Sequence, residues 1–315
     1  MISAPTAPHP RAHYALITPA RNEEALLPAT LSAVIDQTHR PVRWLIVSDG
    51  STDATDAIVR RHAAVYPWIR LLRLPERRDR HFAAKARCFN AGREALSGVD
   101  CEFIGNLDAD ITVGPDYFEF LIDRMARAPR LGVAGTPFVE DEAAIATHGF
   151  APRSATWRHV SGACQMFRRS CLDEIGGYMP VKGGAVDWIA VTTARQKGWE
   201  TRTFPERLCF HRRRLGTGTH HAVLVPFHYG RKAYATGSHP LWALLRGVWI
   251  LPRRPRMAGG LLFLAGFLWS ALRRSPRAVP GDLIAFHRGE QMARLRQLLA
   301  GRRRPDAASA QGTCP

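Results

Sequence analysis

Three short apolar runs, each followed by a polar loop, constrain this chain more than any other feature. Tyr14-Ala15-Leu16-Ile17-Thr18-Pro19, Val42-Arg43-Trp44-Leu45-Ile46-Val47 and Ile69-Arg70-Leu71-Leu72-Arg73-Leu74 have strand length and strand composition. Between the first two, Leu26, Leu27, Leu31, Val34 and Ile35 recur at helical spacing, and Ala54–Tyr66 reads as a second helix. Two strand–helix repeats within about sixty residues require parallel strands joined by right-handed crossovers. The class is therefore α/β, and ligands of such a sheet collect at the carboxyl ends of its strands.

The loops at those ends are polar. Ala20-Arg21-Asn22-Glu23-Glu24 follows the first run, where Asn22 and Glu23 suit either a helix cap or a ligand contact. Ser48-Asp49-Gly50-Ser51-Thr52-Asp53 follows the second. Gly50 permits a tight turn there, and Ser51, Thr52 or Asp53 can cap the next helix. Ala83–Leu96 is a helix by propensity, with Lys85 and Arg87 directed at a phosphate or at solvent. The run from Cys101 to Leu107 then ends in Asp108-Ala109-Asp110. Two carboxylates at a strand end offer hard oxygen ligands to Mg²⁺ or Mn²⁺ that also holds substrate phosphates. The bland reading of such a pair is a solvated turn.

Further on, Gly114–Met125 is an amphipathic helix and Leu131–Gly135 a strand. Gly162–Arg169 is another strand, followed by a short helix that Gly176-Gly177 closes. Asp187 precedes a helix over Trp188–Lys197, and Thr201–Phe204 is the last strand expected.

In this order the motifs closely resemble the family 2 glycosyltransferases. The carriers are Pro19-Ala20-Arg21-Asn22-Glu23, Val47-Ser48-Asp49-Gly50-Ser51, Lys85-Ala86-Arg87 with Asn90-Ala91-Gly92, Asp108-Ala109-Asp110, Gly162 to Arg169 with Ile175-Gly176-Gly177-Tyr178, and Asp187. The resemblance covers about residues 14–215. It implies the GT-A fold, a mostly parallel Rossmann-like sheet with helices on both faces. It implies that Pro19, Ala20, Arg21, Glu23, Asp49, Lys85 and Asp108 bind the nucleotide, with Asp49 on the base. It implies Asp108 and Asp110 as ligands of a Mg²⁺ or Mn²⁺ ion, and Asp187 as the base that deprotonates the acceptor. Val186 stands where the family usually has Glu before that Asp; His148 and Asp173 are the alternative bases. Arg212, Arg213 and Arg214 match the basic segment that closes on the donor phosphates in relatives, or else form a membrane-facing patch. The implied reaction is inverting transfer of a sugar from a nucleotide-sugar donor to a lipid-linked or polysaccharide acceptor. A nucleotidyltransferase or a non-catalytic sugar-nucleotide binding module is the alternative. The former usually carries a Gly-rich loop after the first strand, which Pro19–Glu24 lacks.

Charge divides the chain. Residues 1–201 hold 24 Lys+Arg and 23 Asp+Glu, whereas residues 202–315 hold 20 and 4. Such asymmetry suits a polyanionic surface. No interleaved aromatic and basic strand motif supports nucleic acid, so the expected partner is an anionic membrane surface. The uncharged run Met257–Leu272 would span about 24 Å as a helix, short of a bilayer core of about 30 Å. It fits an interfacial segment or a helix buried in the core. Arg288, Arg294 and Arg296 lie on a later amphipathic helix. The six cysteines form no Cys-x-x-Cys pair, which argues against a zinc ribbon and suits a reducing compartment. No signal-peptide pattern opens the chain. The expected organisation is a leader over 1–13, a catalytic domain over 14–218, a basic helical membrane-associated module over 219–300 and a disordered tail over 301–315. The expected location is the cytoplasmic face of the inner membrane.

Overall fold

The computed structural model describes residues 12–76, 83–139, 157–181, 183–213, 224–252 and 257–300. Contacts divide the chain into one unit through Thr217 and a second from Gly218.

The first unit begins with β1 (Tyr14–Ala20), α1 (Leu27–Ile35), β2 (Arg43–Asp49), α2 (Thr55–Val65), β3 (Ile69–Leu74), α3 (Ala83–Ala95) and β4 (Phe103–Leu107). It continues with β5 (Ile111–Val113), α4 (Tyr117–Ala126), β6 (Leu131–Gly135) and β7 (Phe138–Val139). β8 (Cys164–Arg168), α5 (Arg169–Ile175), α6 (Val186–Gln196), β9 (Glu200–Thr203) and β10 (Cys209–His211) complete it. The main sheet has the order β3-β2-β1-β4-β8-β6-β9. Only β8 runs against the others, pairing antiparallel with both β4 and β6.

The central strands β1, β2 and β4 are buried on both faces, so they are largely apolar and alternate between two cores. Tyr14, Leu16, Trp44, Ile46, Phe103 and Leu107 point to one core, which α1, α2 and α4 cover. Ala15, Ile17, Leu45, Val47 and Ile104 point to the other, covered by α3, α5 and α6. Gly92 lets α3 approach the sheet, since a Cβ there would lie 2.6 Å from an Ile17 methyl.

Several local expectations are corrected. Asn22 and Glu23 cap no helix, because α1 starts later, at Leu27. The second helix begins at Thr55 with Ala54 at its cap position; Asp53 Oδ1 accepts from Thr55 N at 3.0 Å. Asp187 lies inside the first turn of α6 rather than before it, with Ala185 at the cap in a left-handed conformation, φ 70°. The chain also does not end its strands at Phe204. β5, β10 and β7 make a second, three-stranded sheet, invisible to periodicity because its strands are two or three residues long.

The second unit is helical: α7 (Val225–Ala235), α8 (Pro240–Ile250), α9 (Ala258–Leu272) and α10 (Gly281–Leu299). Glycines bring these helices to backbone contact. A Cβ on Gly230 of α7 would lie 1.9 Å from the Phe263 carbonyl oxygen, and one on Gly266 of α9 would lie 2.0 Å from that of Phe227. Gly260 approaches the Gly247 carbonyl of α8 in the same way. Ala233, Ala243, Phe263 and Phe267 form the small core. No described helix is long and apolar enough to cross a membrane.

Candidate active site

The loops after β1 and β2 are fastened together. Asn22, at φ 55°, accepts the Thr52 N–H at 2.9 Å on Oδ1, and its own N–H donates to Ser51 Oγ at 3.2 Å. Glu23 N–H donates to Thr55 Oγ1 at 2.8 Å, and Glu24 N–H to Asp53 Oδ2 at 3.0 Å. These bonds fix the loop that carries Arg21 and Glu23. Arg21 Nη1 stands 3.4 Å from Asp49 Oδ2, at the end of β2. Pro19 and Ala20 pair with Val47 and Ser48 in the sheet. Arg21, Glu23 and Asp49 therefore share one edge of two neighbouring parallel strands.

Asp108 and Asp110 form a tight turn at the end of β4, the next strand along. Ile111 N–H donates to the Asp108 carbonyl at 3.2 Å, and Thr30 Oγ1 holds the Ala109 carbonyl at 2.8 Å. Lys85, in the first turn of α3, grips the Asp108 carboxylate with Nζ 2.6 Å from Oδ1 and 2.7 Å from Oδ2. The same ammonium donates to the Gly162 carbonyl at 2.8 Å, a bond that Asn106 Nδ2 duplicates at 2.8 Å.

The small sheet delivers a second set of basic side chains. His211 of β10 pairs with Ile111 of β5, directly after the acidic turn. Its Nε2 is 3.8 Å from Asp110 Oδ1. Arg213 Nε donates to Asp110 Oδ2 at 3.1 Å, and its Nη2 to Glu23 Oε2 at 2.5 Å. Arg212 turns away to Thr112 Oγ1 at 3.0 Å. Arg214 and His148 lie outside the described residues.

Glu23, Asp108 and Asp110 consequently form one acidic cluster. Burial pushes the Glu23 carboxyl above its ordinary value; Arg213 opposes the rise, while Asp110 and Asp108 add to it. Burial does the same to Asp108, with Lys85 opposing and Asp110 adding. Carboxylates that repel one another in a partly desolvated corner suit a divalent cation. Among the described residues no three His, Cys, Asp or Glu side chains close into a metal cage.

Asp187 is joined to this corner through Gly162. The Gly162 N–H donates to Asp187 Oδ2 at 3.2 Å. His159 Nε2 is 3.9 Å from the same oxygen. Asp187 and Asp108 both help to raise the Tyr178 phenol, after burial, which is the larger cause. Asp173, the alternative base, instead pairs with Arg93 at 3.3 Å and is more than half exposed. The Asn90 and Gly177-Tyr178 motifs meet structurally, with Asn90 bonding both the N–H and the carbonyl of Tyr178 at 2.9 and 2.8 Å.

Sequence reasoning gave no role to Asn106 or His159, and it read His211 only as the start of the basic segment. Asn106 sits inside a strand, where a polar residue gives no separate signal. His159 lies next to residues without periodicity, and only its approach to Asp187 marks it.

The family model of glycosyl transferase family 2 matches residues 15–176, just over half of the chain. A poly-β-1,6-N-acetyl-D-glucosamine synthase from Staphylococcus epidermidis is 24% identical over 251 residues, covering 72% of this chain and 54% of that protein. A dolichyl-phosphate β-glucosyltransferase from Trichomonas vaginalis is 33% identical over 126 residues, covering 37% and 36%. The chain thus spans about half the length, or less, of these curated relatives. Among solved structures, a mannosyltransferase from Pyrobaculum calidifontis superposes with a TM-score of 0.55 at 20% identity, covering 95% of this chain and 79% of that one. This likeness agrees with the GT-A expectation for the fold.

Proposed function

Because the chain belongs to glycosyl transferase family 2, we propose that it is a glycosyltransferase that moves a sugar from a nucleoside-diphosphate donor to a hydroxyl of a lipid-linked or glycan acceptor. The observation that carries this reading is the convergence of Glu23, Asp108 and Asp110 with Lys85 and Arg213 at adjoining strand ends. A diphosphate, and the ion that travels with it, answers such a mixture of charges. The mannosyltransferase neighbour is described with GDP-Man and Mn²⁺, and the staphylococcal relative is named for a polysaccharide product; both support the donor class and a glycan acceptor.

In this reading Arg21 and Asp49 face the nucleotide base, with Pro19, Ala20 and Glu23 completing that wall. Asp108 and Asp110 would hold Mg²⁺ or Mn²⁺, which supplies Lewis acidity to the leaving diphosphate. Arg213 exchanges its carboxylate partners for phosphate oxygens, a bidentate preference of guanidinium. Lys85 keeps Asp108 oriented and adds positive charge beside the leaving group. Asp187 accepts the proton of the acceptor hydroxyl. The acceptor oxygen then bonds to the anomeric carbon as that carbon releases the diphosphate oxygen, a single displacement that inverts the centre. We assign the reaction to the cytoplasmic side of a membrane, in keeping with the basic last third of the chain.

The test is transfer from a panel of nucleotide sugars, with Mg²⁺, Mn²⁺ or EDTA. Asp108→Ala and Asp110→Ala should each abolish metal-stimulated transfer, and Asp187→Asn should abolish turnover while donor binding survives. Full activity in EDTA removes the metal from the scheme, and retained turnover in Asp187→Asn removes the base.

A further inference from the structure

The C-terminal helices carry apolar side chains on the outside, where a helical unit surrounded by water normally carries charge. On α8, Leu241, Leu244, Leu245, Val248 and Trp249 are between 40% and 57% exposed. Their spacing of three and four residues makes one stripe. The opposite side of that helix, at Ala243 and Gly247, is already used against α9. On α9, Leu261, Leu268, Trp269 and Leu272 are 56%, 57%, 48% and 83% exposed, while Gly260, Phe263, Gly266 and Phe267 are buried. Two neighbouring helices therefore each keep a solvent-exposed apolar face. Scattered exposed leucines need no explanation, but contiguous stripes with tryptophan mark an interaction site.

Charge and length select the occupant. Residues 219–300 contain twelve Lys+Arg and two Asp+Glu. No charge interrupts α9, and at its end Arg273 stacks 4.3 Å above the Trp269 ring with Arg274 beside it, exposed. Tryptophan at an apolar edge with arginine next to it is the arrangement that suits lipid headgroups. The 11 residues of α8 and 15 of α9 reach about 16 and 22 Å, less than the roughly 30 Å of a bilayer core, so they lie in one leaflet rather than cross it. A nucleic acid would use the cations and leave the leucines in water. A protein partner would cover the leucines without calling for the surplus of cations.

We propose that the outer faces of α8 and α9 seat on one leaflet of an anionic bilayer. Leu244, Leu245, Leu261 and Leu268 enter the acyl boundary. Trp249 and Trp269 lie at headgroup level, and Arg273 and Arg274 meet lipid phosphates. This seat does not depend on the sugar-transfer reading, so its test uses no turnover.

The full chain is mixed with vesicles of phosphatidylcholine, alone or with phosphatidylglycerol, and floated on a density gradient. It should float with the anionic vesicles, less with neutral ones, and less in high salt. Trp249→Glu combined with Leu268→Glu should weaken partition more than about tenfold, while circular dichroism and melting stay as in the parent. Brominated lipids should quench the parent's tryptophan fluorescence, and Trp249→Phe with Trp269→Phe should remove most of that quenching. The last arm needs no destabilising charge, so it decides even where the Glu variant folds poorly. Unchanged flotation of a folded Glu variant, or no quenching in the parent, overturns the seat. A change in oligomeric state with flotation intact overturns it too, and assigns the stripes to a second copy.

Discussion

The Gly162 amide donates to Asp187 Oδ2 at 3.2 Å, and the Asp187 Cβ lies only 2.8 Å from where a Gly162 side chain would begin. The Gly162 carbonyl faces the other way, to Lys85 and Asn106. One residue thus links the carboxylate assigned to the acceptor with the group that holds Asp108.

Gly162→Ala should displace Asp187. The nearest atom is a Cβ on a helix, which can yield only by moving backbone. Turnover should fall by about tenfold or more, since small misplacements of a reacting group are costly, while the donor dissociation constant changes less than threefold by calorimetry. Unaltered turnover would show that the Asp187 position is unimportant.

Lys85→Met removes a charged partner from Asp108. Hydrogen bonds to charged groups are worth about 1.5–3 kcal/mol, so donor affinity should fall by roughly ten- to a hundredfold. Calorimetry with the nucleotide sugar and metal measures this. Lys85→Arg should restore little, because a planar fork does not reproduce a point contact shared by a carboxylate and a carbonyl.

His159→Gln tests whether the imidazole 3.9 Å from Asp187 helps to hold it. The expected result is a kcat reduced by about three- to thirtyfold with the donor KM unchanged, the pattern of an interaction made in the transition state. Equal losses in stability and in both parameters would reduce His159 to a packing residue.

The thiols set an alkaline limit. Burial pushes Cys171 and Cys209 up to about 12. An unfolded thiol ionises near pH ~8.5, so the unfolded state loses those protons first. The stabilisation is complete below that pH and disappears as pH rises toward 12. Chemical denaturation at pH 7.5, 9 and 10 should show falling stability. In a Cys314→Ser background, a thiol reagent at pH 7.5 should label none of the five buried cysteines of the native protein.

Gly230→Ala and Gly266→Ala should each destabilise the second unit by about 1–3 kcal/mol or more, since the added carbon meets a backbone carbonyl at about 2 Å. Hydrogen exchange should show lost protection in α7 and α9 while β1, β2 and β4 keep theirs.

Much of this architecture was legible along the chain. The runs ending at Pro19, Val47 and Leu107 are apolar because both sheet faces are covered, so the points where they stop mark the sheet edge that carries the candidate site. Asp49, Asp108 and Asp110 stand out for the same reason: each is a carboxylate at the point where such a run stops. The short helix closed by Gly176, at φ 73°, follows from the freedom of glycine at that angle. The small sheet was not legible, since a three-residue strand has no period to read. Without it, nothing along the chain shows that His211 and Arg213 meet Asp110.

The amino-acid sequence by itself determined the class of fold and pointed to the sheet edge and the acidic pair of the candidate site. These are local properties: apolar period, run length and the residue at which a run ends. Tertiary structure decided which charges meet. Arg213 reaches Glu23 across 190 residues of chain, and Lys85 reaches the Gly162 carbonyl across 77. Such pairings depend on strand order and on the register of β10 against β5, which put His211 opposite Ile111. No local pattern encodes that register, because it comes from packing two separate sheets at once.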